Sequence, residues 1–181
     1  MVSEGRLPLP STWFTWHDRW FRPGLRVLDL ACGDGRHSLA AAARGASVVA
    51  WDRDRTRLEA GRALAESRGL GVEWREVDLE GDWPAEPPFD AVLLFNYLDR
   101  ARMPQVLGAV APGGLLVMET FLTSQRELGW GPSRPEHLLE RGELARLVAP
   151  LEVLHGREVL EPVDVERWRA VASVVARRRP A

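Results

Sequence analysis

Continuous apolar runs alternate along the chain with amphipathic segments. Arg26-Val27-Leu28-Asp29-Leu30 reads as a short buried strand after a Pro23-Gly24 turn. The Ala-rich stretch from His37 to Arg44 reads as a helix ended by Gly45. Ser47 to Trp51 is a second apolar strand, followed by Asp52. Asp54 caps a further helix with Leu58, Gly61, Leu64 and Ala65 at helical spacing, ending near Gly69. Val72 to Arg75 is a third strand. After a loop marked by Pro84, Pro87 and Pro88, Phe89 to Phe95 is apolar except for Asp90. Arg102 to Val110 forms a short helix, Pro112-Gly113-Gly114 turns the chain, and Leu115 to Met118 is a fifth strand. Glu136 to Val148 carries Leu138, Leu139, Leu144 and Leu147 on one helical side. Leu151 to Leu160 and Trp168 to Ala176 close the chain as a pair of strands.

Strands that are apolar throughout and alternate with helices imply an α/β fold, a mostly parallel sheet with helices on both faces. The expected organisation is an aromatic helical extension over 1–22 and a single domain over 23–181. Composition adds exclusions. A net charge of −2 provides no field that would draw in nucleic acid or an anionic membrane. Arg177-Arg178-Arg179 is the only strongly basic run and reads as a solvated tail. The single cysteine, Cys32, excludes an internal disulfide and suits a reducing cytoplasm. No signal peptide or membrane span is expected, and cytoplasmic localisation follows as the expectation. The chain also lacks Lys and Ile and has one Asn and one Tyr, in keeping with a GC-rich genome.

In a doubly wound sheet, ligands bind outside the carboxyl ends of the strands. The segment after the first strand is Asp29-Leu30-Ala31-Cys32-Gly33-Asp34-Gly35-Arg36. Gly33 and Gly35 permit unusual backbone angles and close approach to a ligand. A dinucleotide fingerprint requires glycine where this chain has Ser38, and Asp29 and Asp34 would repel a diphosphate. An ammonium and a sulfonium suit that field better. Asp52 is placed to accept ribose hydroxyls, a feature common to dinucleotide and S-adenosylmethionine sites. Asp78 is either an acceptor for an adenine amino group, with Leu79 and Arg53 packing near the ring, or a solvated turn residue.

Val27 through His37 resembles motif I of the class I S-adenosylmethionine-dependent methyltransferases. Ala50-Trp51-Asp52-Arg53-Asp54, Val77-Asp78-Leu79, Phe89-Asp90-Ala91-Val92 and Ala111-Pro112-Gly113-Gly114-Leu115 resemble that family's later motifs in order and spacing. The likeness covers roughly residues 24 to 175. It departs at Ala31, where many members have glycine. A narrower resemblance, to small bacterial methyltransferases grouped with the tellurite-resistance enzymes, rests on Phe95 to Arg100, Glu119-Thr120-Phe121, and Gly131-Pro132-Ser133-Arg134-Pro135 through Gly142-Glu143-Leu144.

This resemblance implies a Rossmann-like, seven-stranded, mostly parallel sheet with an antiparallel last strand. It also implies S-adenosyl-L-methionine as cofactor, held by Asp29, Ala31, Cys32, Gly33, Gly35, Asp52, Arg53, Asp78, Leu79 and Phe95. The methyl group is expected near the end of the fourth strand, where the only Asn and Tyr stand together as Asn96 and Tyr97. They are expected to orient cofactor or acceptor and to shape the acceptor pocket; otherwise they are a strand-end cap and a half-buried core aromatic. Glu119 is a candidate base or acceptor contact, or else a salt-bridge partner of an arginine. Cys32 lacks an activating His and reads as a buried thiol, and His37 reads as structural.

The cluster Trp13, Phe14, Trp16, His17, Trp20 and Phe21 reads as a lid helix or as core packing, with Trp13 and His17 the candidates for the pocket. Arg126 and Arg134 are candidates for an anionic acceptor. A small-molecule acceptor, no nucleic acid, no membrane, no metal, and a monomer or homodimer are expected. The competing readings are a non-catalytic S-adenosylmethionine-binding module and a nicotinamide-dependent oxidoreductase, the latter opposed by Ser38 and Asp29.

Overall fold

In the computed structural model, which describes residues 7–180, seven strands form one mixed sheet, parallel except for its last strand. The chain divides between residues 84 and 85 into two compact units, each with its own core.

The first unit begins with helix α1 (Thr12–His17), whose N-terminus is capped by Ser11 Oγ accepting from Phe14 N at 3.1 Å. Strands β1 (Arg26–Leu30), β2 (Ser47–Asp52) and β3 (Val72–Glu76) pair in parallel in the order β3-β2-β1. Helices α2 (Arg36–Ala42) and α3 (Arg55–Ser67) make the crossovers. Asp54 caps α3, its Oδ1 accepting from Arg57 N at 3.1 Å. Cys32, Leu39, Ala50, Leu58, Ala65 and Trp74 form one core cluster. The aromatic segment is tied into this unit: Phe14 stacks on Phe21 with ring centroids 4.7 Å apart, and Ser11 N donates to His37 Nε2 at 3.2 Å. A backbone N–H can only donate, so His37 Nε2 carries no proton in this arrangement.

In the second unit, β4 (Phe89–Phe95) pairs in parallel with β5 (Val110–Phe121), and α4 (Met103–Gly108) connects them. Strand β7 (Trp168–Arg177) runs antiparallel to both β5 and the edge strand β6 (Glu152–Pro162). A short helix, α5 (Glu143–Leu147), precedes β6.

Three expectations are corrected here. The helix expected over Glu136–Val148 is confined to α5. Leu138 and Leu139 are both buried although adjacent, which suits extended chain, and Leu139 bridges in parallel to Leu122. Gly142, at φ +71°, separates that segment from the helix. The Pro112-Gly113-Gly114 turn lies within β5, because Gly113 N donates to Arg178 O and Arg178 N to Gly114 O. The same pairs dock the basic tail, where the Arg178 guanidinium also donates to Leu107 O; only Arg177 and Arg179 of that run are exposed. No helix among the described residues is long and apolar enough to cross a membrane.

Candidate functional site

The chain leaves β1 through three left-handed residues in a span of five: Ala31 at φ +52°, Gly33 at +61° and Gly35 at +78°. Glycine takes this conformation freely, whereas alanine pays for its Cβ. Gly35 is required for a second reason. The Trp74 ring occupies the space its Cβ would need, and the same ring lies 2.6 Å from where a Cβ on Gly61 would sit. Two bare backbones, one in the loop and one on α3, therefore form the slot for a β3 side chain. A Gly61 Cβ would also lie 2.7 Å from Asp34 O, so α3 sets the position of the loop directly. Neither Trp74 nor the Gly35–Gly61 slot was detectable from spacing alone, although Gly61 falls on the apolar side of its helix.

Asp52, half-buried at the end of β2, is held by two backbone donors: Gly33 N to Oδ2 at 2.7 Å and Asp54 N to Oδ1 at 2.9 Å. A carboxylate has about four acceptor positions, so capacity for ligand hydroxyls remains. Asp29 stands differently. It is 1% exposed, and its Oδ2 accepts from Ser38 Oγ at 2.5 Å. Burial raises its pKa from 3.8 to about 7, against the lowering effect of the Ser38 hydroxyl and amide and of Arg36. Asp29 thus acts on the loop from within the core, through Ser38. Ser38 carries more than the exclusion of a dinucleotide: it is the partner that allows a carboxyl group to be buried beneath the loop.

Cys32 is buried, with Sγ 3.5 Å from Gly33 O, and desolvation pushes its thiol far above the usual range. It is a packing residue, not a thiolate. Asp78 is exposed and closes a turn, its Oδ1 accepting from Glu80 N at 3.0 Å; Leu79 beside it is buried. Arg53 is exposed and pairs with Glu80 at 3.6 Å. On α1, Trp13 and His17 are buried side by side with ring centroids 4.3 Å apart, and His17 Nδ1 lies 2.8 Å from Trp13 O. Trp16, at 59% exposure, is the open aromatic of this helix.

In the second unit, Phe95 is buried at the end of β4 and the next residue, Asn96, is left-handed at φ +57°. Asn96 is exposed and its N–H donates to Glu119 O at 2.9 Å; Tyr97 is half-buried. Asparagine tolerates this backbone better than other side-chain-bearing residues, a conformational reason for the only Asn in the chain.

Glu119 does not lie on an open rim. It is 0% exposed, with Oε2 taking Ser173 Oγ at 2.7 Å and Arg157 Nη2 at 3.1 Å, and Oε1 3.0 Å from Arg169 Nη2. Glu161 completes the cluster by pairing with both arginines. Of the two roles expected for Glu119, the salt-bridge partner matches this setting: the carboxylate is shielded from solvent, Oε2 is hydrogen-bonded, and Oε1 lies in ion-pair contact with Arg169 without accepting a hydrogen bond. Arg126 and Arg134 are exposed, Arg134 standing 4.0 Å from Glu136. Gln125, which carried no sequence signal, is fully buried and ties the loop after β5 to β7. It donates to Trp130 O at 2.9 Å and accepts from Ala170 N at 2.8 Å.

The donor set at the loop fits S-adenosylmethionine. Asp52 keeps acceptor positions of the kind a ribose diol uses, and the open acids Asp34 and Asp52 suit a ligand bearing cationic groups. Known proteins point the same way. A methyltransferase-domain family model matches residues 27–114. The ubiquinone biosynthesis O-methyltransferase of Methylocella silvestris is 33% identical over 150 residues, covering 72% of this chain and 58% of the relative. The protein-L-isoaspartate O-methyltransferase of Methylorubrum populi is 37% identical over 98 residues, 54% of this chain and 45% of that protein. The chain therefore spans less than two thirds of the length of these curated relatives.

Among solved structures, TehB from Haemophilus influenzae superposes with a TM-score of 0.76 at 19% identity, over 94% of this chain and 63% of TehB. A Methanosarcina mazei S-adenosylmethionine-dependent methyltransferase gives 0.75 at 17% identity, over 96% of this chain and all of that one. These two likenesses establish the fold. With the ordered motifs and the curated relatives, they lead to one conclusion: residues 27–114 are a methyltransferase domain of the class I S-adenosylmethionine-dependent type.

Proposed function

We propose that the protein transfers the methyl group of S-adenosylmethionine to a small-molecule acceptor. The observation that carries this reading is the Asp52 carboxylate, fixed by the Gly33 and Asp54 amides beside a loop of left-handed residues. When bound, the cofactor supplies an electrophilic methyl group on a sulfonium leaving group. The protein's share is alignment and exclusion of water. In this reading Asp52 binds the ribose hydroxyls. Ala31, Gly33 and Gly35 shape the loop surface, and the buried Asp29–Ser38 pair keeps that surface in place. Arg53, Asp78 and Leu79 belong to the adenine end, and Phe95 to the floor near the methyl group. Asn96 and Tyr97 orient the acceptor, while Glu119 braces Asn96 from its backbone carbonyl. Trp13, His17, Arg126 and Arg134 are proposed as acceptor-side residues.

A small acceptor is supported by the net charge of −2, which provides no attraction for nucleic acid, and by the curated relatives named for ubiquinone biosynthesis. Calorimetric titration with S-adenosylhomocysteine tests the reading. Binding to the wild type and a loss of tenfold or more in Asp52→Ala are expected. No binding at millimolar ligand would overturn it. For the acceptor side, Asn96→Gly keeps the backbone conformation and removes the amide. With an acceptor in hand, unchanged turnover in this variant would remove Asn96 from the site.

A further inference from the structure

The acidic loop carries its own cation. Arg57 lies in the first turn of α3 with its amide capped by Asp54, and its guanidinium lies across Gly33: a Cβ there would stand 2.5 Å from Arg57 Cζ and 2.9 Å from Nη1. Arg57 Nη2 is also 3.6 Å from Asp34 Oδ1, with the two side chains 55% and 53% exposed. The guanidinium thus rests on the loop glycine that has no side chain to keep it off. The nearby carboxylates are those to which a cationic ligand would be drawn. A cation tethered to α3 is present at high effective concentration and competes with any free one.

We propose that Arg57 is a selectivity residue: an internal counter-cation that competes with the sulfonium for the acidic loop and so narrows the preference for S-adenosylmethionine over S-adenosylhomocysteine. This rests on the reading that the donor binds at the loop. The two ligands share their adenosine and amino-acid parts, so any steric effect of Arg57 falls on both alike. They differ by one methyl group and one positive charge. Only the charge makes the ratio of their affinities depend on the guanidinium, and that dependence is screened by salt.

The test is calorimetric titration of both ligands into wild type, Arg57→Met and Arg57→Lys, at low and high salt. Arg57→Met keeps an apolar stem without the charge. It is expected to shift the affinity ratio toward S-adenosylmethionine by about threefold to tenfold at low salt, and by less at high salt. Arg57→Lys is expected to keep the wild-type ratio. A ratio unmoved in Arg57→Met, or an equal loss of affinity for both ligands, would overturn the inference while leaving the donor reading intact; the equal loss would mark Arg57 as a direct ligand of the shared parts. A wild type that binds neither ligand would overturn the donor reading, and this inference with it.

Discussion

The pair beneath the loop offers the sharpest test. Asp29 is 1% exposed and Ser38 is fully buried, with 2.5 Å between Ser38 Oγ and the carboxylate. The carboxyl titrates near 7 in the folded chain and near 3.8 in its ordinary state, because burial disfavours the charge. Between those values the folded state holds a proton that the unfolded state has released. Stability from this group is therefore highest at low pH and falls as pH rises toward 7. At 1.36 kcal/mol per pH unit, the loss between pH 5 and pH 8 is about 3 kcal/mol. Asp29→Asn removes the titration, so its stability relative to wild type should improve by about that amount over the same interval.

Ser38→Ala removes a donor from a buried acceptor and should cost about 1–3 kcal/mol. The cost should be larger at pH 8, where the carboxylate is charged, than at pH 5, where it is protonated. Urea unfolding of the three proteins, followed by circular dichroism and tryptophan fluorescence at both pH values, reads these differences. An Asp29→Asn protein with the wild-type pH slope would refute the reasoning. So would a Ser38→Ala penalty equal at both pH values.

Gly61→Ala introduces a Cβ that meets Trp74 and the Asp34 carbonyl at 2.6 and 2.7 Å. It should cost about 1–3 kcal/mol in thermal unfolding and weaken S-adenosylhomocysteine binding; wild-type values for both would show that the slot is not tight. Ala31→Gly relieves the left-handed strain at φ +52° but adds freedom to the unfolded chain. The net effect should lie between neutral and about 1 kcal/mol of stabilisation, and chemical denaturation showing a clear loss would contradict it. Glu119→Ala leaves Arg157 and Arg169 buried with an incomplete set of partners and should destabilise by about 3–5 kcal/mol. A stable Glu119→Ala protein that had lost only turnover would restore the catalytic role.

The order of strands and helices was legible because apolar periodicity reports burial within each segment. Phe89–Phe95 coincides with β4, and the boundaries of β1 to β3 differ from expectation by at most a residue. The segment 136–148 misled because four leucines at helical spacing also fit an extended piece joined to a short helix. The choice rested on a bridge to Leu122, 17 positions away. At the site, glycines and acids were visible as residue types. Their partners were not, since Gly33 meets Asp52 across 19 positions and Asp29 meets Ser38 across nine.

By itself, then, the sequence determined the alternation of elements, the glycine-rich acidic loop and the family resemblance, because local patterning and motif order are written along one dimension. The tertiary structure decided which acids remain open and which are enclosed. Asp52 stays half-buried on two amides, Asp29 is enclosed with Ser38, and Glu119 is enclosed with two arginines. The physical reason is that the cost of a charge depends on the water and partners around it, and folding brings those partners from distant parts of the chain.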